Sequence, residues 1–422
     1  MSLREQANRE AARRMCEADP VLVDVRSAGE VVPGMTPATV LTSGAPMEWD
    51  EYTGGQRRAV LGGALYEGLA SGVDEAEAKI RAGEIVVRTC HEHDCVGSVA
   101  GIYTASMPVF VVENRAAGAG NRAFCNFYEG PSHRRLNYGV YDQGVHENLD
   151  YIRDVIAPVI GEAVRALGEL PLKPLMRRAV HMGDELHSRN TAATLLFTRG
   201  LTPAFLQLPE SRRADVQEVM SWLEQSDYFF LRLGMASSKA TANWAHGVEG
   251  SSVVTSMNLS CKDFAIRVGG LGERWFRGPH PTLEGKLFEP YTMDDLEWIG
   301  GESHHAETVG LGGFAQAAAF ALQAYQGGSA EAMVQMNLSM YEIAVTEHPD
   351  YQIPYLGYRG TPVGIDVFKV VEKGIVPAID GGLAGKDGVG QIGAGILKAP
   401  MECFEAAVQA YEEHYATAPA GA

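Results

Sequence analysis

The chain has 422 residues, with 53 aspartates and glutamates against 35 lysines and arginines, which gives a formal net charge of −18. This acidic balance argues against nucleic acid and anionic membrane as partners, because both need a basic surface. Apolar residues make up 46% of the chain and charged residues 21%, as in a folded globular protein. At ~100–200 residues per domain, the length predicts two or three domains.

Six cysteines are scattered along the chain without a CxxC pair, so we expect free thiols in a reduced, cytoplasmic protein. The start of the chain is charged and amphipathic and lacks the apolar core of a signal peptide. No run approaches the ~18 apolar residues of a spanning helix. The sequence predicts no resident cofactor and no bound metal.

The element pattern predicts an α/β (α+β) multidomain fold, in which two mixed α/β domains flank a helical domain. Residues 1–150 are expected to form the N-terminal α/β domain, because short Val- and Phe-rich strands alternate there with amphipathic helices. Residues 151–246 are expected to form the helical domain, with helices over 149–167, 172–199, 212–225 and 228–245. Apolar residues recur there at i, i+3 and i+4.

Residues 247–422 are expected to form the C-terminal α/β domain. Strands are predicted over 251–258 and 263–268, joined by a hairpin at Cys261–Asp263. A helix is predicted over 313–325, directly after a glycine-rich segment, and further helices over 330–347 and 401–415.

The densest polar cluster is Cys90–Cys95, which follows an apolar strand. On an extended backbone His91 and His93 point to one face, where two imidazoles can meet an anion or a metal. Functional groups at the end of a strand are typical of α/β sites. The alternative is a solvated loop.

A second cluster covers residues 181–190, where six ionisable or amide side chains interrupt an apolar helical pattern. We expect His181 and Asp184 to take part in a site, because such groups are otherwise unusual on a core helix. The alternative is a polar helix face that meets solvent or a neighbouring domain.

Glycine segments next to polar residues are candidates for anion binding. Glu249, Ser251 and Ser252 follow a predicted helix end, where backbone N–H groups can form an anion-binding nest. Gly312 and Gly313 precede a predicted helix, whose N-terminus can bind an anion. An ordinary glycine cap in the first case, and close helix packing in the second, explain these segments equally well.

Arginines beside glycines and hydroxyl groups can bind a small carboxylate or phosphate in a bidentate manner. Arg267, Arg274 and Arg359, the last followed by Thr361, stand in such surroundings. For any single one of them, a structural salt bridge with one of the many acids is the simpler explanation.

Taken together, seven motifs in order along the chain resemble the YlbE-like family, also called the AllG family and formerly catalogued as a domain of unknown function. They are SMPVFVVEN (106–114), HMGDELHSRNTAA (181–193), HGVEGSS (246–252), IRVGGLGERWF (266–276), ETVGLGGFA (307–315), YRGTPVGIDVFKVVE (358–372) and GVGQIGAGILKAPMECFEAA (388–407). The resemblance extends from about residue 19 to residue 407.

The resemblance implies a multidomain α/β fold and a subunit of oxamate carbamoyltransferase, an enzyme of anaerobic allantoin and purine breakdown. That enzyme interconverts oxalurate plus phosphate with oxamate plus carbamoyl phosphate. The implied partners are these small anions, two other unrelated subunits and further copies of the chain.

Carbamoyl transfer develops negative charge on oxygen and requires proton movement. We therefore expect the candidate arginines, hydroxyls and glycines to bind anions, a histidine among His91, His93 and His181 to move the proton, and Asp184 or Glu249 to orient it. Two alternatives stay open: a metal-dependent hydrolase with ligands from His91, His93 and Asp184 or His187, and a non-catalytic structural subunit.

Overall fold

The computed structural model describes residues 2–118 and 120–416, which form a mixed α/β fold. The helices among them are α1 (Leu3–Glu17), α2 (Ala28–Val31), α3 (Gly54–Tyr66), α4 (Val73–Arg81), α5 (Gln143–Tyr151), α6 (Ala157–Leu167), α7 (Lys173–His181), α8 (Thr191–Phe205), α9 (Arg213–Glu224), α10 (Leu231–Ala245), α11 (His305–Thr308), α12 (Gln323–Gln326), α13 (Ala330–Ile343), α14 (Val367–Lys373) and α15 (Met401–Ala416). The strands are β1 (Pro20–Ser27), β2 (Thr39–Thr42), β3 (Val86–Thr89), β4 (Pro108–Asn114), β5 (Arg122–Asn126), β6 (Leu170–Pro171), β7 (Val254–Ser260), β8 (Phe264–Val268), β9 (Phe276–Gly278), β10 (Thr282–Leu287), β11 (Leu296–Glu297), β12 (Gly300–Gly301), β13 (Ala344–Ile353), β14 (Arg359–Ile365), β15 (Ala378–Gly385) and β16 (Gln391–Lys398).

Three four-stranded sheets carry the architecture, in the orders β5-β4-β1-β6, β12-β7-β8-β9 and β10-β16-β15-β11. Their paired strands run antiparallel, and so does the ribbon of β13 and β14. Strands β2 and β3 form a parallel pair. The predicted hairpin between β7 and β8 is confirmed, with Leu259 opposite Phe264.

The largest apolar core joins the first sheet to the helices that follow it. Phe110 of β4, Ile160 of α6, Phe197 of α8 and Met235 of α10 are all fully buried in it. This core crosses residue 150, so the N-terminal strands and the helical segment pack as one layered unit. A second core joins β7 and β8 to β15, β16 and α15.

The helix predicted over 172–199 is wrong, because the chain forms α7, a loop over 182–190, and α8. Gly183 (φ +101°) and Leu186 (φ +68°) take left-handed conformations that end a helix. The buried Asp184 carboxylate accepts the backbone N–H of Ala193 at 2.8 Å, which satisfies a free donor in the first turn of α8.

The helix predicted over 313–325 is also wrong, because most of the segment forms short 3-10 turns. Its backbone donors go to side chains instead: Ala317 N–H donates to Asn337 Oδ1 at 2.9 Å, and Gly313 N–H to Glu307 Oε1 at 3.0 Å. A Cβ at Gly313 would lie 2.0 Å from the carbonyl oxygen of Ala378, so only glycine allows this approach to β15.

Across residues 2–118 and 120–416, no helix combines the length and the apolar character needed to cross a membrane.

Candidate functional site

A cavity of about 350 Å³ opens where the loop after β5, the α7–α8 loop and the start of α10 meet β12, β15 and β16. We call it the central cleft. Its polar lining includes Ser98, Arg135, Asn137, Asp227, Arg232, Ser303, His187, His304, Tyr128, Tyr138, Tyr228, Tyr325 and Gln391, and its glycines are Gly300, Gly301, Gly381 and Gly382. The size and the mixed lining suit a small polar molecule.

Two buried arginines line the central cleft. Arg135 is 8% exposed and Arg232 is 1% exposed. Neither guanidinium forms an ion pair with a carboxylate in the described part of the chain, and the Nε atom of each lacks a hydrogen-bond partner there. Two buried guanidiniums that lack an ion pair are costly, so this pair favours an anion in the cleft.

Local contacts hold the two arginines in place. Arg232 Nη1 donates to Asn126 Oδ1 at 2.9 Å. The Arg135 guanidinium lies 4.8 Å from the ring centre of Tyr138 and 5.4 Å from that of Tyr128. Nearby Glu129 accepts the backbone N–H groups of Leu136 and Asn137, and burial raises the pKa of its carboxyl. The charges of Arg135 and Arg232 act against that shift, so Glu129 offsets part of their charge without forming an ion pair with either.

A serine, a histidine and a glutamate form a hydrogen-bonded chain at the wall of the cleft. Ser303 Oγ lies 2.8 Å from His187 Nε2, and Glu307 Oε1 lies 2.8 Å from His187 Nδ1. Burial acts to lower the pKa of His187, but the Glu307 carboxylate outweighs it and raises that pKa. This is the arrangement of a serine activated by a histidine and an orienting acid.

Glycines and a buried acid place Ser303. Gly300 (φ +125°) and Gly301 (φ +151°) have conformations that side chains rarely adopt, and they pair with β7. The following Glu302 carboxylate accepts Gly97 N–H at 2.8 Å and Asn258 Nδ2 at 2.7 Å. Ser303 is thereby held just before α11, the helix that carries Glu307.

Glu185 holds the backbone around His187 in place. Its carboxylate accepts the backbone N–H groups of His187 and Arg189, each at 3.0 Å, and its carbonyl oxygen accepts Gly312 N–H at 2.7 Å. Glu185 is also hydrogen-bonded to Asp380, and burial raises the pKa of both carboxyls. A hydrogen bond between two carboxyl groups requires a proton on one of them.

Two of the sequence-predicted residues, His91 and Arg267, meet in a buried cluster that does not line the central cleft. His91 contacts Arg267 through Nε2 and Lys239 through Nδ1. Burial, together with the neighbouring Lys239 and Arg267, lowers the pKa of His91. Arg267 also pairs with Glu273, whose side chain is exposed.

The other candidates for proton transfer lie elsewhere. His93 binds the carbonyl oxygen of Pro33 at 2.6 Å, and the expected extended backbone at His91 and His93 is a 3-10 turn. His181 and Glu249 are exposed, and the ring of His181 packs 5.5 Å from that of Tyr358. Asp184 caps α8, and burial raises its pKa to about 6.

Both candidate serines bond to other residues of this protein. Two of the candidate arginines lie on its surface. Ser251 and Ser252 are fully buried against Asn8, and Ser252 Oγ also donates to Asp366 at 2.8 Å. Arg274 is exposed beside Phe276.

Arg359 is an exposed arginine that stacks on Tyr341 and pairs with Glu347 at 2.7 Å. Thr361 is fully buried, and its hydroxyl has no partner among the described residues. Gly312 and Gly313 support the central cleft indirectly, because Gly313 N–H donates to the carboxylate of Glu307.

No group of three or more histidine, cysteine, aspartate or glutamate side chains within 2–118 and 120–416 stands close enough to hold a metal ion. His91, His93 and Asp184 are therefore not arranged as a ligand set there.

Part of this cleft is recognisable in the amino-acid sequence. His187 lies in the polar cluster at 181–190, and the pair Gly300-Gly301 directly before an acid and a serine marks an unusual backbone. Arg135 and Arg232 have no such mark, because Arg232 sits inside an apolar helix and its burial depends on the tertiary fold.

The central cleft brings two buried arginines together with a serine that is hydrogen-bonded to a histidine. The family model described as "Oxamate carbamoyltransferase subunit AllG" matches residues 85–303, which include Arg135, His187, Arg232 and Ser303. The chain belongs to the AllG family.

Relatives match over nearly the whole chain. The oxamate carbamoyltransferase subunit AllG of Escherichia coli K12 is 37% identical over 412 residues, 97% of both chains. The uncharacterised protein YahG of the same organism is 41% identical over 410 residues, 97% of this chain and 86% of YahG. The crystal structure of a conserved protein of unknown function from Enterococcus faecalis V583 superposes with a TM-score of 0.93 at 37% identity, over 98% of this chain and 99% of that one.

Proposed function

We propose that this chain is the substrate-binding subunit of an oxamate carbamoyltransferase, which converts oxalurate and phosphate into oxamate and carbamoyl phosphate. All four compounds are small anions. The observation that carries the proposal is the pair of buried arginines, Arg135 and Arg232, which have no carboxylate partner among the described residues and line one small cleft. Membership of the AllG family supports the same reaction.

The chemistry of the cleft fits these substrates. A guanidinium can bind the carboxylate of oxalurate or oxamate, or a phosphate, through two hydrogen bonds. Two arginines can hold two anionic groups together, as transfer between oxalurate and phosphate requires. His187 can transfer a proton beside them, because the hydrogen bond between its Nδ1 atom and Glu307 orients the imidazole.

We further propose that the chain works within a complex with other subunits, and with further copies of itself, in the cytoplasm during anaerobic allantoin breakdown. The relative in Escherichia coli is described as a subunit, which supports a hetero-complex. The six cysteines are free, which supports a reducing compartment.

The test is co-purification of the chain with the proteins encoded beside its gene, followed by an assay of carbamoyl phosphate formed from oxalurate and phosphate. We expect the complex to catalyse phosphorolysis and the chain alone to bind oxamate. A complex that forms but lacks phosphorolysis contradicts the proposal. Oxamate binding that appears only when the other subunits are present, and that Arg232→Met in this chain leaves unchanged, makes this chain a structural subunit instead.

A further inference from the structure

The hydrogen bond from Ser303 to His187 has a consequence beyond substrate binding. We propose that Ser303 is the nucleophile of the transfer and carries the carbamoyl group as an ester between two half-reactions. This inference rests on the function proposed above and specifies how the group moves: through the enzyme, and not directly from oxalurate to phosphate.

The hydrogen-bond partners assign the histidine tautomer that a nucleophile needs. The Glu307 carboxylate can only accept, so His187 Nδ1 carries the proton that it shares across 2.8 Å. His187 Nε2 is then the acceptor for the Ser303 hydroxyl, also at 2.8 Å. A histidine in this state takes the hydroxyl proton when the oxygen attacks.

Two further contacts fix the glutamate, so the histidine is oriented before substrate arrives. Besides His187, Glu307 Oε1 accepts the backbone N–H groups of Gly313 and Asp380, each at 3.0 Å. Glu307 is fully buried. Ser303 is partly exposed and lines the central cleft together with Arg135 and Arg232, so its hydroxyl meets the same space as the bound anion.

The first half-reaction forms the ester. Ser303 Oγ attacks the carbamoyl carbon of oxalurate, and its proton passes to His187 Nε2. The bond between the carbamoyl carbon and the amide nitrogen breaks, His187 gives the proton to that nitrogen, and oxamate leaves. The carbamoyl group remains on Oγ, and no electrons are gained or lost.

The second half-reaction returns the enzyme to its starting state. A phosphate oxygen attacks the carbamoyl carbon of the ester, and the phosphate proton passes to His187. The bond from that carbon to Oγ breaks, His187 protonates Oγ, and carbamoyl phosphate leaves. A single histidine thus serves as base and acid in each half.

The decisive experiment is isotope exchange in the assembled complex without phosphate. Labelled oxamate is incubated with unlabelled oxalurate, and label in oxalurate is measured. A carbamoyl-enzyme predicts exchange in the wild type and a loss of at least about 100-fold in Ser303→Ala, as removal of a nucleophile commonly causes. Ser71→Ala, at an exposed serine bonded to Glu75, is the matched control and should exchange like the wild type.

A complex that carries out phosphorolysis but shows no exchange without phosphate overturns the covalent intermediate and leaves the proposed function intact. Exchange that persists in Ser303→Ala overturns Ser303 as its carrier. If phosphorolysis is absent altogether, the chain is treated with phenyl carbamate and examined by intact-protein mass and peptide mapping. A carbamoyl group on Ser303 then supports the nucleophile although the proposed reaction has failed, and an unlabelled Ser303 overturns it.

Glu307 acts in this scheme as a positioning residue. Because its carboxylate raises the pKa of His187, and the base must be unprotonated, Glu307→Gln should move the acid limb of the exchange rate to lower pH and lower the maximal rate. A merely structural role predicts a lower rate with an unmoved pH profile.

Discussion

The Nζ atom of Lys239 lies 2.8 Å from Nδ1 of His91, at the centre of the buried cluster outside the central cleft. On the other side of the imidazole, Arg267 donates to Nε2, because a guanidinium can only donate. His91 Nδ1 therefore carries the ring proton and points it at Lys239. An ammonium cannot accept that proton, so this contact favours the neutral amine of Lys239, and burial lowers the pKa of Lys239 to about 8.

Burial lowers the pKa of Lys239 in the same direction, although Glu302 opposes the shift. A lysine pKa that is lower in the folded state contributes stability above the unfolded value of ~10.4, and this contribution is lost as pH falls. We therefore expect the wild type to gain stability over Lys239→Met as pH rises from about 8 to about 10, at no more than ~1.4 kcal/mol per pH unit. Urea unfolding across this range measures the difference. Lys262→Met, at an exposed lysine, is the control. A flat difference for Lys239→Met contradicts the neutral amine.

Buried His348 should make the stability of the protein depend on pH in the acid range. It is 2% exposed, and its Nδ1 accepts the backbone N–H groups of Asp350 and Tyr351 at 3.0 and 3.1 Å. Burial lowers its pKa to about 3. Its stabilising contribution is present above the unfolded pKa of ~6.5 and is lost as pH falls toward about 3.

His348→Asn keeps an acceptor near Nδ1 but does not titrate. We expect the wild type to lose ~1.4 kcal/mol per pH unit relative to this variant below about pH 6. Thermal unfolding of both proteins at a series of pH values measures the loss. An equal response of the two proteins to acid would show that His348 takes up its proton in the folded state.

Replacing Asp184 tests whether this residue, which the sequence suggested for catalysis, has a structural role instead. Burial raises its pKa to about 6, so its contribution to stability is full below the unfolded pKa of ~3.9 and is lost as pH rises through about 6. Asp184→Asn keeps an oxygen that can accept Ala193 N–H. The variant should therefore gain stability relative to the wild type between about pH 4 and pH 6 and keep its exchange activity. Loss of exchange with an unchanged stability profile would return Asp184 to the catalytic candidates.

Gly313 supports the Glu307 carboxylate from a position where no side chain fits. A Cβ there would lie 2.0 Å from the carbonyl oxygen of Ala378, which is backbone and cannot move aside cheaply. We expect Gly313→Ala to cost about 1–3 kcal/mol in the free energy of unfolding. Gly144→Ala, at an exposed glycine within α5, should stabilise by up to ~1 kcal/mol. Equal stability of Gly313→Ala and the wild type would contradict the tight contact.

Local patterns sufficed to predict the fold class and the β7–β8 hairpin, because period and turn residues act over a few positions. They failed over 172–199, where the apolar spacing of two helices continues across a loop. Gly183 (φ +101°) is a helix-ending signal within that spacing, but the break also needs Leu186, a buried residue with no turn preference, at φ +68°. Helix propensity is too weak to prevent this break.

The candidate site, like the fold, could be predicted from the sequence only in part. The polar cluster at 181–190 could be recognised, but the choice of His187 within it required its distances to Ser303 and Glu307. Arg359 has glycine and threonine neighbours that suit an anion, yet it lies exposed on Tyr341 and pairs with Glu347. Arg232 has an apolar helical context and is nonetheless one of the two arginines of the cleft.

Binding of the anionic substrate by Arg135 and Arg232 in the central cleft is measured by calorimetric titration of the purified chain with oxamate. Losing hydrogen bonds to a charged group costs ~1.5–3 kcal/mol, so Arg232→Met should weaken binding about 10- to 100-fold. Arg359→Met, on the surface, should bind like the wild type. Unchanged affinity in Arg232→Met, or a loss confined to Arg359→Met, would show that the arginines of the central cleft do not bind the substrate.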